Sequence, residues 1–263
     1  LVNKGEWKDD YNELVSNMYH RTKNHPSVVM RAVGNESGDG VNLELSYDWL
    51  KQQEPNFPVI SEQAQLRRHT DAYGQMYESL EQVERFAKTK QDLTRPMILI
   101  EYEHAMGNSL GNFNEYWQLF ERYPQLQGGF IWDWVDQTFA MKTADGRDFW
   151  GYGGDLEPAF AITAKSFSAN GLVYADRTPY PYLWEVKHAQ QNIGFSLSKA
   201  SNLAIQDGQG SGQSTQVEIR NKRFFKNLSD IELTWQLLVN GDVVESGDGL
   251  ILSAEPQSTQ IIS

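Results

Sequence analysis

The chain contains no cysteine. That absence excludes disulfide bonds, a thiol nucleophile and any metal site built on thiolates. No apolar run approaches the ~18 residues of a membrane-spanning helix, so we expect no membrane partner. Basic residues are the less common charges: 23 Lys and Arg stand against 35 Asp and Glu, for a formal net charge of −12. A surplus of this sign argues against nucleic acid and anionic membranes as partners, and it is compatible with a neutral substrate.

The size and composition are those of a globular protein. The 263 residues, 40% of them hydrophobic, are enough for one large domain or two ordinary ones. The first residues, Leu1–Glu6, lack the charged and apolar regions of a secretory signal peptide, and we expect a cytoplasmic location. The chain does not begin with methionine, so we expect it to be a piece of a longer protein.

The most informative stretch of the sequence is residues 97–109. Met97–Ile100 is a short apolar run, which is typical of a strand buried on both faces of a parallel sheet. The run ends in Glu101, Glu103 and His104. Because barrel enzymes hold their catalytic groups at the carboxyl ends of parallel strands, Glu101 is a candidate catalytic carboxylate. The alternative is a solvated loop glutamate.

A second apolar run points to another glutamate. Val28–Val33 is broken only by Arg31 and ends in the loop Gly34–Gly38, which contains Glu36. Two predicted strands therefore each end in a glutamate. Two carboxylates at one end of a barrel can divide the acid/base and nucleophilic work on a glycosidic bond. This pairing strengthens Glu101 as a catalytic candidate and adds Glu36.

Helices and strands alternate through the first half of the chain. Apolar residues at spacings of three and four predict helices at 6–24, 41–53, 80–87 and 112–123. Short apolar runs predict strands at 28–33, 58–62, 72–77, 97–101 and 128–134. The alternation predicts parallel βαβ units. They belong either to an open α/β sheet or to a (β/α)8 barrel whose first three strands are missing.

The sequence changes character after the last of these strands. Residues 138–170 are a long loop-rich stretch, and loops of that length in compact domains usually have a function. After about residue 188, short runs alternate in hydrophobicity, and Asn240-Gly241 lies between two of them, which is a strong hairpin signal. We expect a β-sandwich there, with the Ser-, Gly- and Gln-rich segment 201–214 as a mobile loop or insertion.

Five motifs follow one another along the chain. They are Asn24-His25-Pro26-Ser27-Val28, Gly34-Asn35-Glu36-Ser37-Gly38, Glu101-Tyr102 with the segment 104–109, the segment 128–137 and the segment 170–177. In this order they resemble glycoside hydrolase family 2, and within it the β-galactosidase branch. The resemblance covers residues 7 to about 190 closely and the rest of the chain more loosely.

The resemblance implies an α/β fold with a (β/α)8 TIM barrel, here only strands 4–8, followed by an all-β immunoglobulin-like sandwich. The partial catalytic domain would span residues 1–187 and the sandwich residues 188–263. The first three barrel strands and the family's N-terminal β-domains would lie outside the chain. Because a half barrel has open edges and an exposed interior, we expect the 263 residues alone to be inactive. We expect the full-length protein to be a homo-oligomer.

The resemblance also implies a retaining double-displacement hydrolysis of terminal β-D-galactosides of the lactose type. Glu101 would be the nucleophile that forms the covalent galactosyl-enzyme, and Glu36 would be the general acid/base. Asn35 would hold a sugar hydroxyl.

Three further residues would complete the sugar site. Tyr77 would hydrogen-bond the nucleophile, His104 would bind a galactose hydroxyl, and Trp132 would form an apolar wall. Each has a structural alternative: a core tyrosine, a structural histidine and barrel packing.

Two metal ions are implied by the resemblance. The carbonyl of Phe167 and the side chain of Asn170 would help to bind Na⁺ beside the galactose, which also places Asn170 in the sugar site. Glu36 would touch Mg²⁺, whose other protein ligands lie upstream of this chain.

The chain departs from the family pattern near these residues. Arg31 stands where tryptophan is usual, Gln75 where proline is usual, and Glu103 where a small residue is usual. The loop 155–166 is long and lacks the acidic residue expected before Phe167. Arg31 would suit an acidic sugar if its head reached the pocket, which leaves β-glucuronidase open, and Glu103 would raise a neighbour's pKa if it pointed inward. A further alternative is a non-catalytic fragment or carbohydrate-binding scaffold.

Overall fold

The structure is a computed structural model that describes residues 1–89, 94–156, 165–197 and 216–262. The segment 201–214 and most of the loop 155–166, for which expectations are stated above, lie outside the described residues. The chain divides into two compact units, Leu1–Ala189 and Gln190–Ser263. Each unit is described by itself.

The helices of the first unit, α1 to α6, are Lys8–Thr22, Val41–Gln53, Leu80–Thr89, Phe113–Arg122, Gly153–Leu156 and Leu183–Ala189. The first four confirm the helices predicted from the apolar spacing, with ends that differ by two residues at most. The sequence analysis missed α5 and α6 because helices of four and seven residues have too few turns to show a period. No helix among the described residues is long and apolar enough to cross a membrane.

The central strands of the first unit are parallel and follow the order of the chain. β1 to β5 are Arg31–Ala32, Val59–Ile60, Tyr73–Met76, Met97–Tyr102 and Leu126–Ile131. β1 pairs with β2, and β3, β4 and β5 form a three-stranded sheet. All five predicted strands are present. β1 is shorter than the predicted strand 28–33, because main-chain pairing with β2 begins only at the Arg31 N–H.

Prolines set the ends of three helices. α1 ends shortly before Pro26, α2 ends two residues before Pro55, and α4 ends two residues before Pro124. The residue before a proline avoids the helical region, and proline itself lacks the N–H that a continuing helix needs. Each helix therefore turns back toward the sheet at a point that the sequence specifies.

Strand β4 separates two apolar layers. Met97, Leu99 and Tyr102 pack in the largest buried cluster together with residues of α3, α4 and α6, whereas Ile98 lies in a separate cluster. Strict alternation would place residue 101 beside Leu99 and turn residue 102 away. The pairing of β4 with β5 shifts register between Leu99 and Tyr102, and such irregularities redirect side chains at strand ends. Tyr102 therefore enters the helix layer and Glu101 leaves it.

Hydrogen bonds join the beginning and the end of the segment between β5 and α6. The Asp133 N–H donates to the Asn170 carbonyl at 2.8 Å. The buried carboxylate of Asp136 accepts the Gly171 N–H at 2.7 Å and the Tyr180 hydroxyl at 2.7 Å. These contacts hold the two ends of the segment together.

An antiparallel hairpin lies within this segment. Its strands are β6, Phe139–Lys142, and β7, Asp148–Gly151. The sequence analysis predicted only loop here. Most of the hairpin side chains are exposed. Because neither face of the hairpin is fully buried, its sequence does not show the alternation of apolar and polar residues by which a strand is detected.

The second unit is built from antiparallel strands. β8 to β12 are Ile193–Leu197, Val217–Asn221, Glu232–Val239, Asp242–Ile251 and Thr259–Ile262. β8, β9 and β12 form one sheet, and β10 and β11 form a hairpin. Its turn, Asn240-Gly241, has φ angles of 53° and 95°, as a type I′ turn requires, so the hairpin prediction is confirmed. The immunoglobulin-like form of the unit stays a prediction.

Candidate active site

A tyrosine at the end of β3 holds the carboxylate at the end of β4. The Tyr77 hydroxyl donates to Oε2 of Glu101 at 2.6 Å, and the Tyr77 N–H donates to the Glu101 carbonyl at 2.9 Å. Glu101 is only 9% exposed, and a buried carboxylate needs such a donor. Among the described residues no hydrogen bond engages the second carboxylate oxygen, which is therefore free to meet a ligand.

Tyr77 also interacts with the second candidate carboxylate. Burial raises the pKa of Tyr77 well above its ordinary value, and the hydrogen bond to Glu101 and the negative charges of Glu36 and Asp133 raise it further. The phenol therefore stays protonated and can act as a donor. Glu36 and Tyr77 have left-handed φ angles of 47° and 53°, an unfavourable conformation that clusters at functional sites. Tyr77 therefore contacts Glu101 directly, and Glu36 lies near enough for its charge to act on the same tyrosine.

Glu36 lies in an exposed loop after β1. Its backbone N–H donates to Oε2 of Glu62 at 2.8 Å, and Glu62 follows β2 closely. Asn35 is exposed beside it, and its carbonyl accepts the Ser37 hydroxyl at 2.9 Å. The sequence analysis did not name Glu62. The signal that identified Glu36, a carboxylate just beyond a parallel strand, was present there too.

His104 lies beside Tyr77. The centres of these two rings are 5.9 Å apart, and the ring centre of Phe167 lies 5.2 Å from that of His104. The Nε2 atom of His104 is buried and has no hydrogen-bond partner among the described residues. A buried polar atom without a partner is unfavourable unless a ligand satisfies it. Its position therefore fits the predicted role of binding a hydroxyl.

Trp132 and Asn170 are linked through the main chain of Asp133, which follows Trp132 and binds Asn170. Trp132 continues β5: its N–H donates to the Tyr102 carbonyl at 3.0 Å, and its carbonyl accepts the Ala105 N–H at 2.7 Å. Its side chain is partly buried. The Asn170 carbonyl accepts the N–H of Asp133, the residue after Trp132. Asn170 is 2% exposed, and its Oδ1 atom has no hydrogen-bond partner within the described part of the chain.

The two implied metal ions differ in how well the residues fit them. Na⁺ takes oxygen ligands, and the orphaned Oδ1 of Asn170 is an available one close in sequence to the Phe167 carbonyl. For Mg²⁺ the resemblance assigns Glu36, and the described residues hold no group of three or more His, Asp or Glu that could bind a metal. The sodium site therefore fits in part, and a magnesium site would need ligands from elsewhere.

Arg31 does not point into the pocket. Its side chain is 3% exposed and forms a salt bridge with Glu54. Its guanidinium lies 4.0 Å from the ring centre of Phe57 and 4.9 Å from that of Tyr19. These partners belong to α1, the end of α2 and the turn that follows, so the charge is paired and stacked in the helix layer. The hypothesis that Arg31 reads an acidic sugar is wrong for this arrangement.

Glu103 also faces the helices. It is half-buried, and burial first and then the charge of Glu115 raise its pKa to about 7. Burial raises the pKa values of Tyr102 and Tyr116, and the negative charge of Glu103 raises them further. Tyr116 lies in α4, and Tyr102 packs in the same buried cluster.

Glu103→Gln should remove a pH dependence of stability. The folded-state pKa of about 7 lies above the ordinary glutamate value of 4.5, so the folded protein binds more protons than the unfolded chain between these pH values and loses stability as the pH rises through them. After allowance for solvent screening, we expect the variant to be more stable than the wild type by about 1–2 kcal/mol at pH 8 and equal to it near pH 4. Urea unfolding at both pH values measures this difference.

The matched control for this experiment is Glu13→Gln, the same change at an exposed position of α1. It should alter stability by less than about 0.5 kcal/mol at either pH. Parallel pH profiles for wild type and Glu103→Gln would contradict the prediction.

Two family models match the chain. Residues 1–195 match the TIM barrel domain of glycosyl hydrolases family 2. The chain belongs to glycoside hydrolase family 2. The match also decides between an open sheet and a barrel, because β1–β5 lie within the matched TIM barrel domain. Residues 217–263 match domain 4 of beta-galactosidase.

Relatives of this family-2 chain carry the name beta-galactosidase. That of Aeromonas hydrophila is 40% identical over an alignment of 274 positions, which covers 100% of this chain and 25% of that protein. That of Pseudoalteromonas haloplanktis is 37% identical over an alignment of 268 positions, which covers 98% of this chain and 25% of that protein. The chain spans about a quarter of the length of the curated relatives it matches.

Solved structures of family 2 resemble the chain more distantly. A beta-glucuronidase from Bacteroides uniformis is 16% identical with a TM-score of 0.49, over 100% of this chain and 34% of that one. A family 2 member from Bacteroides cellulosilyticus is 15% identical with a TM-score of 0.48, over 97% of this chain and 32% of that one. A likeness at this level carries no argument about the substrate.

Proposed function

We propose that this family-2 chain carries the catalytic glutamates of a retaining glycosidase that cleaves terminal β-D-galactosides such as lactose. The observation that carries the proposal is the hydrogen bond from Tyr77 to Glu101, with Glu36 acting on the same tyrosine. The name printed for the relatives, beta-galactosidase, supports the choice of sugar.

In this proposal Glu101 is the nucleophile. A hydrogen bond to a carboxylate is stronger than one between neutral groups, so the Tyr77 hydroxyl holds the Glu101 carboxylate in a fixed position. Its free oxygen attacks the anomeric carbon, the bond to the leaving oxygen breaks, and a covalent galactosyl-enzyme forms. Retaining enzymes place the two carboxyl groups only ~5–5.5 Å apart for this purpose.

Glu36 handles the protons. It donates a proton to the leaving oxygen in the first step and then, as a carboxylate, takes one from the water that attacks the galactosyl-enzyme.

The remaining residues would bind the sugar. The unpartnered Nε2 of His104 and the amide of Asn35 would hydrogen-bond hydroxyls, and Trp132 would offer an apolar face. Asn170 and the Phe167 carbonyl would hold Na⁺, which supplies a fixed positive charge for a sugar oxygen. Glu36 would be this chain's contribution to a Mg²⁺ site completed elsewhere.

The wider organisation is also part of the proposal. β1–β5 would be strands 4–8 of the barrel, and the whole protein would supply the first three. We further propose that the whole protein is a homo-oligomer in the cytoplasm. The alternative of β-glucuronidase loses the feature that suggested it, because Arg31 is engaged by Glu54.

A substrate comparison tests the proposed activity. The whole protein should hydrolyse a nitrophenyl β-galactoside with a kcat/KM at least about 100-fold above that for the matching β-glucuronide, because Arg31, the cation that suggested an acidic sugar, is paired with Glu54. The 263-residue chain alone should hydrolyse neither. A preference for the glucuronide would reject the galactosidase, and turnover by the short chain equal to that of the whole protein would reject the dependence on missing strands.

A further inference from the structure

The loop after β1 rests on the segment after β2 through three side-chain contacts. Glu62 accepts the Glu36 N–H at 2.8 Å. Three residues further along, the Asp39 carboxylate accepts the Arg67 guanidinium and lies 2.7 Å from Nε2 of the buried His69. The first contact binds the backbone of the proposed acid/base residue itself. The contacts of Asp39 hold the end of the same loop.

Within its own sequence the loop is held by Ser37, whose hydroxyl accepts the Asn35 N–H at 3.3 Å and donates to the Asn35 carbonyl at 2.9 Å, but neither bond engages the backbone of Glu36. Glu36 has a left-handed φ of 47°, between Gly34 and Gly38, whose φ angles are 75° and 82°. Glycines permit many backbone conformations, and a non-glycine residue holds a left-handed one only where its surroundings enforce it. The Glu62 carboxylate binds the N–H of the residue that is in this conformation. It is therefore the contact best placed to enforce it.

We propose that Glu62 is a positioning residue, which fixes the backbone of Glu36 so that the Glu36 carboxyl points at the glycosidic oxygen. The inference rests on the proposed function, because it takes Glu36 as the acid/base. A charge-assisted hydrogen bond is roughly twice as strong as a neutral one, so an ionised Glu62 suits the task. In this role Glu62 acts through Glu36 and does not touch the sugar.

The dependence of the rate on the leaving group separates this role from a general structural one. A dinitrophenolate departs without protonation, whereas the glucose of lactose needs a general acid. A residue that positions the acid should therefore matter for lactose and not for the dinitrophenyl galactoside. kcat/KM is the quantity to compare, since it reports the step in which the leaving group departs.

We expect Glu62→Ala in the whole protein to lower kcat/KM for lactose by about 100-fold and that for dinitrophenyl galactoside by less than about 3-fold. Glu62→Gln keeps an acceptor oxygen and should recover most of the lactose activity. Gln63→Ala, an exposed neighbour in the same turn that forms no hydrogen bond among the described residues, should match the wild type. Glu36→Ala is the reference and should show the same leaving-group dependence as Glu62→Ala in stronger form.

Three results would overturn the proposal. An equal fall for both substrates in Glu62→Ala would show a general structural role, and no fall for lactose would show no role. If Glu36→Ala itself showed no leaving-group dependence, the assignment of Glu36 would fail and the proposal for Glu62 with it. The reference variant therefore distinguishes a failed proposed function from a failed role of Glu62.

Discussion

Glu101→Gln should abolish β-galactoside hydrolysis, with kcat falling by about 10⁴-fold or more. The amide has nearly the shape of the carboxylate and still accepts the Tyr77 hydrogen bond, but it cannot attack the anomeric carbon. Steady-state kinetics of the whole protein with a nitrophenyl galactoside measure the loss. A 2-fluoro-galactoside with a good leaving group, which slows the second step, should label the wild type covalently and leave Glu101→Gln unlabelled.

The matched control is Glu103→Gln, the same change two residues along the chain. Glu103 acts on Tyr102 and Tyr116 in the helix layer, so its loss should leave kcat within about 3-fold of the wild type. Peptide mapping of the fluorosugar should find it on Glu101. A label on Glu36 or Glu62 would contradict the assignment of the nucleophile.

Gly171→Ala should strongly destabilise the first unit. A Cβ atom there would lie 2.5 Å from the Val135 carbonyl carbon and 2.5 Å from the Val173 carbonyl oxygen, and it would overlap the backbone nitrogen of Asp136. These are backbone atoms and cannot turn aside as a side chain can. We expect a loss of more than about 3 kcal/mol in the free energy of unfolding, measured by urea unfolding with tryptophan fluorescence.

Gly111→Ala is the control for this experiment. Nothing lies within 4 Å of a Cβ built at Gly111, and its φ is not in the left-handed region. The change should alter the unfolding free energy by less than about 0.5 kcal/mol. Equal unfolding midpoints for the two variants would show that the backbone around Gly171 gives way more easily than its contacts suggest.

The strands and two of the site residues were predictable because they depend on local sequence. Apolar runs that stop abruptly locate β1 and β4, and the carboxylates just beyond them, Glu36 and Glu101, follow from the geometry of parallel strands. The same rule applied to the run that became β2 would have added Glu62. That omission was a failure to apply the rule, since the signal was in the sequence.

The face of the sheet to which a side chain points was not predictable. A strand buried on both faces shows no polar alternation, so nothing in Val28–Val33 says that Arg31 faces the helices. In β4 alternation would have misled, because it places Glu101 beside Leu99. The irregular pairing that moves Glu101 away from Leu99 arises between β4 and β5, and one strand's sequence does not contain it.

The buried carboxylate of Asp136 has an evolutionary consequence. It binds Gly171 and Tyr180, so the chain leaves and re-enters the barrel at fixed points whatever lies between them. The entropy of closing a loop grows only with the logarithm of its length, and insertions there would barely disturb those points. Natural variants and laboratory libraries can therefore exchange the hairpin of β6 and β7 while Asn170 and the barrel glutamates keep their places.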